Sequence, residues 1–286
     1  MQKQPLRILA IGAHPDDCEI SAGGTAALFV QAGHTVKFVS MTNGDTGHHI
    51  IGGGQLARRR HAEAMAAAAV IGIDYDVMDI HNGELEANLY YRKSVIRLIR
   101  AFEPDLVLTH PPDDYHPDHR YTSILVQDSA YVVTVPGMCP LSPHLTVNPV
   151  YAYMIGAPTR SSSFEPDILV DIESVFDRKL DMIRCHESQL FEWLPYNQGR
   201  LDEVPDGSAE RRAWLDEQFR NRIAAIADHW REPLVRDFGQ ERGEQIRYVE
   251  AIQACPFGSP LDRAAVQRLF GSLEVSGAVA IPSGGA

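Results

Sequence analysis

RILAIGAHPDD, residues 7–17, carries the first indication of the fold. Residues 7–13 are almost continuously apolar, which is typical of a strand buried on both faces of a parallel sheet. The chain turns polar at His14, and residues 20–33 then supply small and apolar side chains that favour a helix packed closely on that strand. Because a second strand is predicted over residues 35–42, the order is strand, helix, strand.

The same alternation continues along the chain. Helices are predicted over residues 55–72 and 88–103, and strands over residues 75–80 and 105–110. This order predicts an α/β fold, in which a Rossmann-like, doubly wound and mostly parallel sheet is flanked by helices.

The C-terminal half departs from this regular pattern. Residues 135–149 are rich in proline, so we predict a long loop near the sheet edge that contributes to a substrate lid. Short strands and additional helices are expected in the C-terminal region: strands over 148–156 and 166–172, and helical segments over 174–190 and 208–230. We expect one domain over residues 1–270 and a flexible Gly- and Ser-rich tail over residues 271–286.

The composition limits the classes of function. The 286 residues are 44% hydrophobic and 22% charged, as expected for a globular enzyme. The formal net charge of -12 argues against binding to nucleic acid or to an anionic membrane. We therefore expect a small-molecule substrate, and the sequence leaves a homo-oligomer open.

Cysteine usage and the N-terminal segment bear on location. The four cysteines are scattered without a CxxC pair, which indicates reduced thiols. The apolar run before His14 is too short for a signal peptide or a membrane span. The expectation is a cytoplasmic protein without membrane insertion.

The first polar cluster is His14, Asp16 and Asp17, directly after the first predicted strand. Two adjacent carboxylates in a partly dry site repel each other unless a cation or hydrogen-bond donors compensate them. A divalent metal would supply that cation, with one carboxylate as its ligand and the other free to move protons. The alternative is that Asp16 or Asp17 caps the helix that begins near Ile20.

The second polar cluster follows the strand that ends in His110. His116 and His119 are three residues apart, so a helix starting at Pro117 or Asp118 would place His119 in its first turn and His116 before it. One of these histidines could complete a three-ligand metal site, while the other acts on the reacting group. Surface histidines without a role are the alternative.

The two clusters together are stronger evidence than either one alone. Each follows a strand of the predicted parallel sheet, and ligands of such sheets bind beyond the carboxyl ends of the strands. The sequence therefore predicts that both sets of side chains converge on one crevice.

AHPDD at residues 13–17 and HPDH at residues 116–119 together resemble the LmbE-like or PIG-L-like N-acetylglucosaminyl deacetylases. The likeness extends over about residues 7–190 and includes further short matches: GGT at 23–25, NGD at 43–45, Arg60 with Glu63, and DYHPDHR at 114–120.

This resemblance implies a set of roles. His14, Asp17 and His119 would bind Zn²⁺, and Asp16 would be the general base. A protonated His116 would stabilise the charged intermediate, with Asp118 as its orienting partner.

The implied reaction removes the N-acetyl group from an N-acetylglucosamine-containing substrate. Further candidates for contacts with sugar hydroxyls or an anionic group are Arg60, Asp45, His48 and His49, with polar loop residues as the alternative. One alternative is an amidase acting on a glycosylated thiol conjugate. Another is a sugar- or nucleotide-binding module without chemistry, although neither GxGxxG nor GxxxxGK[ST] occurs in the sequence.

Overall fold

The computed structural model describes residues 4–155 and 164–276. The strands in this part of the chain are β1 (Arg7–Gly12), β2 (Thr35–Ser40), β3 (Asp74–Val77), β4 (Leu106–Thr109), β5 (Val150–Ile155), β6 (Ile168–Asp171), β7 (Val249–Gly258) and β8 (Val275–Ser276). The helices are α1 (Asp17–Gln31), α2 (Gly53–Ile71), α3 (Leu89–Phe102), α4 (Pro117–Val132), α5 (Phe176–Arg184), α6 (Leu194–Asn197), α7 (Ser208–His229), α8 (Arg231–Phe238), α9 (Gln240–Gln245) and α10 (Arg263–Phe270).

The described strands form one mixed sheet in the order β3-β2-β1-β4-β5-β7-β6-β8. The first five strands of that order are parallel, whereas β7 runs antiparallel to both β5 and β6. The predicted α/β class and mostly parallel sheet are confirmed. Strand β7 was not predicted, because its apolar residues alternate irregularly with polar ones and it follows a long helical region.

The strand β1 contributes to the core on both faces of the sheet. Ile8 and Ala10 belong to one apolar cluster, and Leu9 and Ile11 belong to the other. Successive side chains of a strand point to opposite faces, so a continuous apolar run is required when helices cover both sides. This packing fixes the point at which β1 ends and the polar cluster begins.

A buried ion pair connects α1 to the C-terminal part of the sheet. The Lys179 ammonium of α5 contacts the Glu250 carboxylate of β7, and both side chains are almost fully buried. The same carboxylate accepts the backbone N–H groups of Gly24 (2.8 Å) and Thr25 (2.7 Å), while Lys179 Nζ donates to the Ile20 carbonyl (2.7 Å). The pair therefore joins three elements through satisfied hydrogen bonds.

Replacing Lys179 with Met should lower the free energy of unfolding by about 3–5 kcal/mol, because the Glu250 carboxylate would stay buried without its cation. Urea denaturation followed by circular dichroism measures the change. Lys37→Met is the matched control, since Lys37 pairs with the half-exposed Asp76 and should contribute about 0–1 kcal/mol. Equal losses in the two variants would contradict the role assigned to the buried pair.

The proline-rich loop over 135–149 does not lie where a lid is needed. Its C-terminal end meets the amino end of β4, where the Val150 N–H donates to the Asp105 carbonyl (3.1 Å). Its N-terminal part is held by the buried Arg100, which donates to the carbonyls of Met138 (2.6 Å) and Ser142 (3.0 Å). Because this is the edge opposite to the polar clusters, the lid prediction is wrong.

The segment predicted as a flexible tail, 271–286, begins within regular structure. Val275 and Ser276 form β8 and pair antiparallel with β6. Leu273 packs against the core. Residues 277–286 of the predicted tail lie outside the described residues.

Candidate active site

The two polar clusters meet because their strands are neighbours. β1 and β4 pair in parallel, with Ile11 opposite Thr109, so the residues that follow both strands emerge at the same edge. His110 Nε2 lies 3.1 Å from Asp17 Oδ2, across a sequence separation of 93 residues. The convergence predicted from the sequence is therefore present in the structure.

Asp17 is held as an ionised carboxylate at the first residue of α1, three residues earlier than the predicted start of that helix. Its Oδ2 accepts the backbone N–H groups of Ala13 (2.9 Å) and His14 (2.7 Å). Burial alone would raise the pKa of Asp17, but His119 and His110 hold it well below its usual range. An anionic oxygen is therefore available at the centre of the cluster.

The donor atoms of His14, Asp17 and His119 form a small triangle. His14 Nδ1 lies 3.2 Å from His119 Nε2 and 3.4 Å from Asp17 Oδ2, and His119 Nε2 lies 3.5 Å from Asp17 Oδ1. Two ligands of a tetrahedral zinc ion with bonds of about 2.0–2.1 Å are separated by roughly 3.3–3.4 Å. The nitrogen, nitrogen and oxygen donors thus fit zinc in type, and each distance is near this spacing, although the two histidines face different oxygens of Asp17.

Two other combinations of side chains could also hold an ion. The donor atoms of His14, His116 and His119, and those of Asp17, His110 and His119, each lie within 4.8 Å of one another. His119 is common to all three sets. The ring of His110 stacks on that of His119, with centroids 4.0 Å apart.

Asp118 orients His14 rather than His116. The fully buried Asp118 carboxylate lies 3.1 Å from His14 Nε2 and accepts the Gly83 N–H (2.6 Å). Burial opposes protonation of His14, but its hydrogen bonds to Asp118 and Asp17 outweigh that effect and raise its pKa to about 9. The Asp118 carboxylate fixes the orientation of the His14 ring, so that Nδ1 faces the donor atoms of Asp17 and His119, as in carboxylate–histidine–metal arrangements. The prediction that the Asp118 side chain orients His116 is wrong, because the carboxylate contacts His14 instead.

His116 is positioned by the start of α4. It is the N-cap residue of that helix, and its Nδ1 accepts the Asp118 N–H (3.1 Å), so a neutral ring carries its proton on Nε2. Burial and the neighbouring His14 and His119 lower the pKa of His116 to about 4. This lowered pKa favours a neutral ring that donates from Nε2, over the cation expected from the sequence.

Asp16 has the geometry of a functional residue rather than of a helix cap. It occupies the N-cap position of α1 but makes no capping hydrogen bond with its side chain. Its φ of 127° is a strained conformation for a residue other than glycine, which costs about 1–3 kcal/mol. Burial raises its pKa to about 6, and the Arg60 guanidinium, 3.3 Å away, opposes that shift. The Asp16 carboxylate is thus buried beside the donor atoms of His14, Asp17 and His119.

Comparisons with known proteins agree with the site. Residues 9–130 match the model of the PIG-L family, described as GlcNAc-PI de-N-acetylase. The diacetylchitobiose deacetylase of Thermococcus kodakarensis is 30% identical over 207 residues, which cover 66% of this chain and 74% of that protein. The chain belongs to the PIG-L family.

Two further proteins are similar to this PIG-L protein, one in sequence and one in structure. The 4-oxalmesaconate hydratase of Pseudomonas putida is 28% identical, over 68% of this chain and 78% of the hydratase. The structure of N,N'-diacetylchitobiose deacetylase from Pyrococcus horikoshii shares the fold with a TM-score of 0.66, at 24% identity, and the match covers 88% of this chain and 85% of that one.

Among residues 4–155 and 164–276, no helix combines the length and apolar composition needed to cross a bilayer.

The site of this PIG-L protein opens into a cavity of about 310 Å³. His14, Asp16, Asp17, His116 and His119 all line it. The other residues in its wall that sequence reasoning missed are Ile20, Ser21, Gly47, Asn82, Met154, Gln189, Trp193, Leu194, Gln198 and Arg222. Several of them come from the chain beyond the PIG-L match.

Of the residues predicted to contact substrate, Arg60 lines the cavity but is already engaged. Its guanidinium donates to the Pro15 carbonyl and pairs with Asp16. Asp45 does not line the cavity, because its carboxylate accepts the Asn82 N–H (3.1 Å) and lies 2.6 Å from His81 Nδ1. Asp45 therefore organises the loops around the site.

His48 and His49 also lie outside the cavity lining. His48 Nε2 contacts the Glu192 carboxylate (2.7 Å), and His49 stacks on Tyr196 with ring centroids 4.0 Å apart. Glu192 also accepts two hydrogen bonds from Arg59. The two histidines thus support the cavity wall from behind, and the expectation that they contact substrate does not fit this placement.

The segment CHESQ, residues 185–189, connects that wall to the helices α1 and α2. His186 and Glu19 are completely buried, with Nε2 2.9 Å from Oε1. Ser188 donates to the Glu63 carboxylate from both its backbone N–H (2.9 Å) and its hydroxyl (2.6 Å). In the sequence, a cluster of polar residues in a helical segment is the feature that could have indicated a role at the site. It does not indicate that His186 and Ser188 contact Glu19 and Glu63.

Proposed function

We propose that this protein is a zinc-dependent N-deacetylase that removes the acetyl group from an N-acetylglucosamine-containing substrate, releasing acetate and a free amine. The observation that carries the proposal is a buried carboxylate, Asp16, in the same cavity as the donor triangle of His14, Asp17 and His119. The PIG-L match and the relatives named as deacetylases support the same reaction.

A zinc ion held by that triangle would act as a Lewis acid on the acetamide carbonyl and would make a water molecule more acidic. Asp16 would accept a proton from that water as its oxygen bonds to the carbonyl carbon. The Nε2–H of His116 would donate to the oxygen on which negative charge develops. When the C–N bond breaks, Asp16 returns the proton to the amine nitrogen, and the acetic acid formed then loses its own proton, so that water and amide yield acetate, amine and H⁺.

Two further residues support these steps without contacting the reacting atoms. Arg60 holds the Asp16 carboxylate and the preceding Pro15 carbonyl, which fixes the strained turn that aims the base. Asp118 fixes the ring of His14.

The test is a substrate screen with the protein depleted of metal by a chelator and then supplied with Zn²⁺. The substrates are N-acetylglucosamine, diacetylchitobiose, N-acetylglucosaminyl glycosides and a glucosaminyl thioether conjugate. We expect acetate and primary amine in equal amounts, only after addition of metal. Amide cleavage confined to the thioether conjugate, hydration of an unsaturated dicarboxylate without acetate release, or binding without turnover would each contradict the proposal. The single domain over residues 1–270, the cytoplasmic location and a homo-oligomeric state remain predictions.

A further inference from the structure

One wall of the cavity comes from three elements in the C-terminal half of the chain. Trp193 and Leu194 stand at the end of the π-helical turn Ser188–Trp193 and the start of α6, and Arg222 lies on α7. The reaction at the donor triangle uses only the acetamide of a substrate. The remainder of that substrate must therefore meet other parts of the lining, including this wall.

The wall is anchored firmly enough to act as a recognition surface. Glu192, next to Trp193, accepts two hydrogen bonds from Arg59 (2.8 and 2.6 Å). Gln189, in the same turn of helix, donates to the Gly47 carbonyl (3.0 Å). A π-helical turn of this kind often occurs at functional sites.

Arg222 differs from two other arginines of α7, Arg212 and Arg220. Arg212 pairs with Asp181 (3.0 Å), and Arg220 pairs with Asp177 (2.9 Å). Within residues 4–155 and 164–276, Arg222 forms neither an ion pair nor a hydrogen bond, and its guanidinium lies 5.8 Å from the centroid of the Phe219 ring. Its hydrogen-bond donors therefore remain available at the cavity.

Arg222 is one of two arginines in a cavity lining that also contains several carboxylates. Four carboxylates line the cavity, from Asp16, Asp17, Asp113 and Asp114. The other lining arginine, Arg60, is committed to Asp16 and to a backbone carbonyl. A guanidinium presents a planar set of donors that matches a carboxylate or a phosphate.

We infer that Arg222 is a specificity-determining residue that binds an anionic group on the part of the substrate remote from the acetamide. This inference rests on the proposed deacetylase function and narrows its substrate class to amino-sugar conjugates with a carboxylate or a phosphate. Trp193, half-buried in the same wall, supplies an apolar surface beside that group.

The experiment compares three substrates that differ only in the aglycone: the methyl glycoside of N-acetylglucosamine, its glycoside with a hydroxy acid, and N-acetylglucosamine 1-phosphate. We expect wild-type kcat/KM to be about 10-fold or more higher for at least one anionic substrate than for the methyl glycoside. The preferred anion distinguishes a carboxylate from a phosphate.

The variant Arg222→Gln should raise KM for the preferred anionic substrate about 10- to 100-fold, with little change in kcat and no change for the methyl glycoside. Arg222→Lys should retain part of the preference. The matched control, Arg212→Gln, removes a cation from an exposed pair on the same helix and should leave all three substrates unaffected. The affinity for the corresponding anionic amine products, measured by calorimetry, should fall from wild type to Arg222→Lys to Arg222→Gln.

The outcomes separate this inference from the function on which it rests. If wild-type protein releases acetate equally from neutral and anionic substrates, or if Arg222→Gln affects all three substrates alike, the assignment of Arg222 is wrong while the deacetylase function stands. If wild-type protein releases acetate from none of the broader set of amino sugars, the proposed function fails first.

Discussion

Asp16→Asn is expected to lower kcat about 10²- to 10⁴-fold, because the amide cannot accept the proton that general-base catalysis requires. Asn occupies almost the same volume and tolerates positive φ, so the strained turn at φ 127° should persist. The carboxylate is not part of the proposed donor triangle. We therefore expect the purified variant to retain about one zinc ion per chain, measured by elemental analysis, while acetate release falls.

The control for this variant is Asp113→Asn. Asp113 also lines the cavity, but it is exposed, and its replacement should leave kcat within about threefold, as expected for a surface carboxylate. Wild-type kcat in Asp16→Asn would exclude Asp16 as the base. Loss of zinc from that variant would instead place Asp16 among the ligands.

His119→Ala should abolish metal binding and activity together. His119 Nε2 faces both His14 Nδ1 and Asp17 Oδ1, and the residue belongs to every candidate donor set in the described structure. Removal of one of three protein ligands leaves a site with two, which is too few for tight binding of zinc. The expected result is a zinc content near zero after dialysis, with the folded state checked by circular dichroism.

Two companion variants decide between the alternative donor sets. His116→Ala should keep its zinc but lose much of its activity, because His116 is assigned to the oxyanion. His110→Ala should weaken zinc binding about 10- to 100-fold, as expected for a residue that supports a ligand, Asp17, from outside the donor triangle. If His116→Ala lost zinc as completely as His119→Ala, the set of His14, His116 and His119 would be the correct one.

The parallel sheet and the location of the site could be predicted from the sequence because both depend on local patterns. A continuous apolar run such as residues 7–13 can only be buried on both sides, and polar residues that follow such strands must emerge at their carboxyl ends. His14, Asp17 and His119 therefore reach one crevice, as expected from AHPDD and HPDH. The start of α4 at Pro117 and the position of His116 before it also follow from local sequence.

The partners of buried polar groups could not be predicted in this way. Asp118 faces His14 instead of His116, because the loop at Gly83 approaches from another part of the sheet edge and shares the same carboxylate. The pKa of His116 is lowered because burial and two neighbouring histidines disfavour its charge. Neither effect can be predicted from the spacing of residues along the sequence.

The amino-acid sequence by itself determined the class of fold, the edge of the sheet that carries the chemistry and the residue types that meet there. Hydrophobic periodicity and strand-end chemistry act over a few residues, so they can be read locally. Only the tertiary structure decided which walls enclose the cavity, since Trp193 and Arg222 are brought to Asp16 from more than 170 residues away by packing and by buried pairs such as Lys179 with Glu250. With Arg222 assigned to substrate binding, the choice of substrate is a property of that long-range packing.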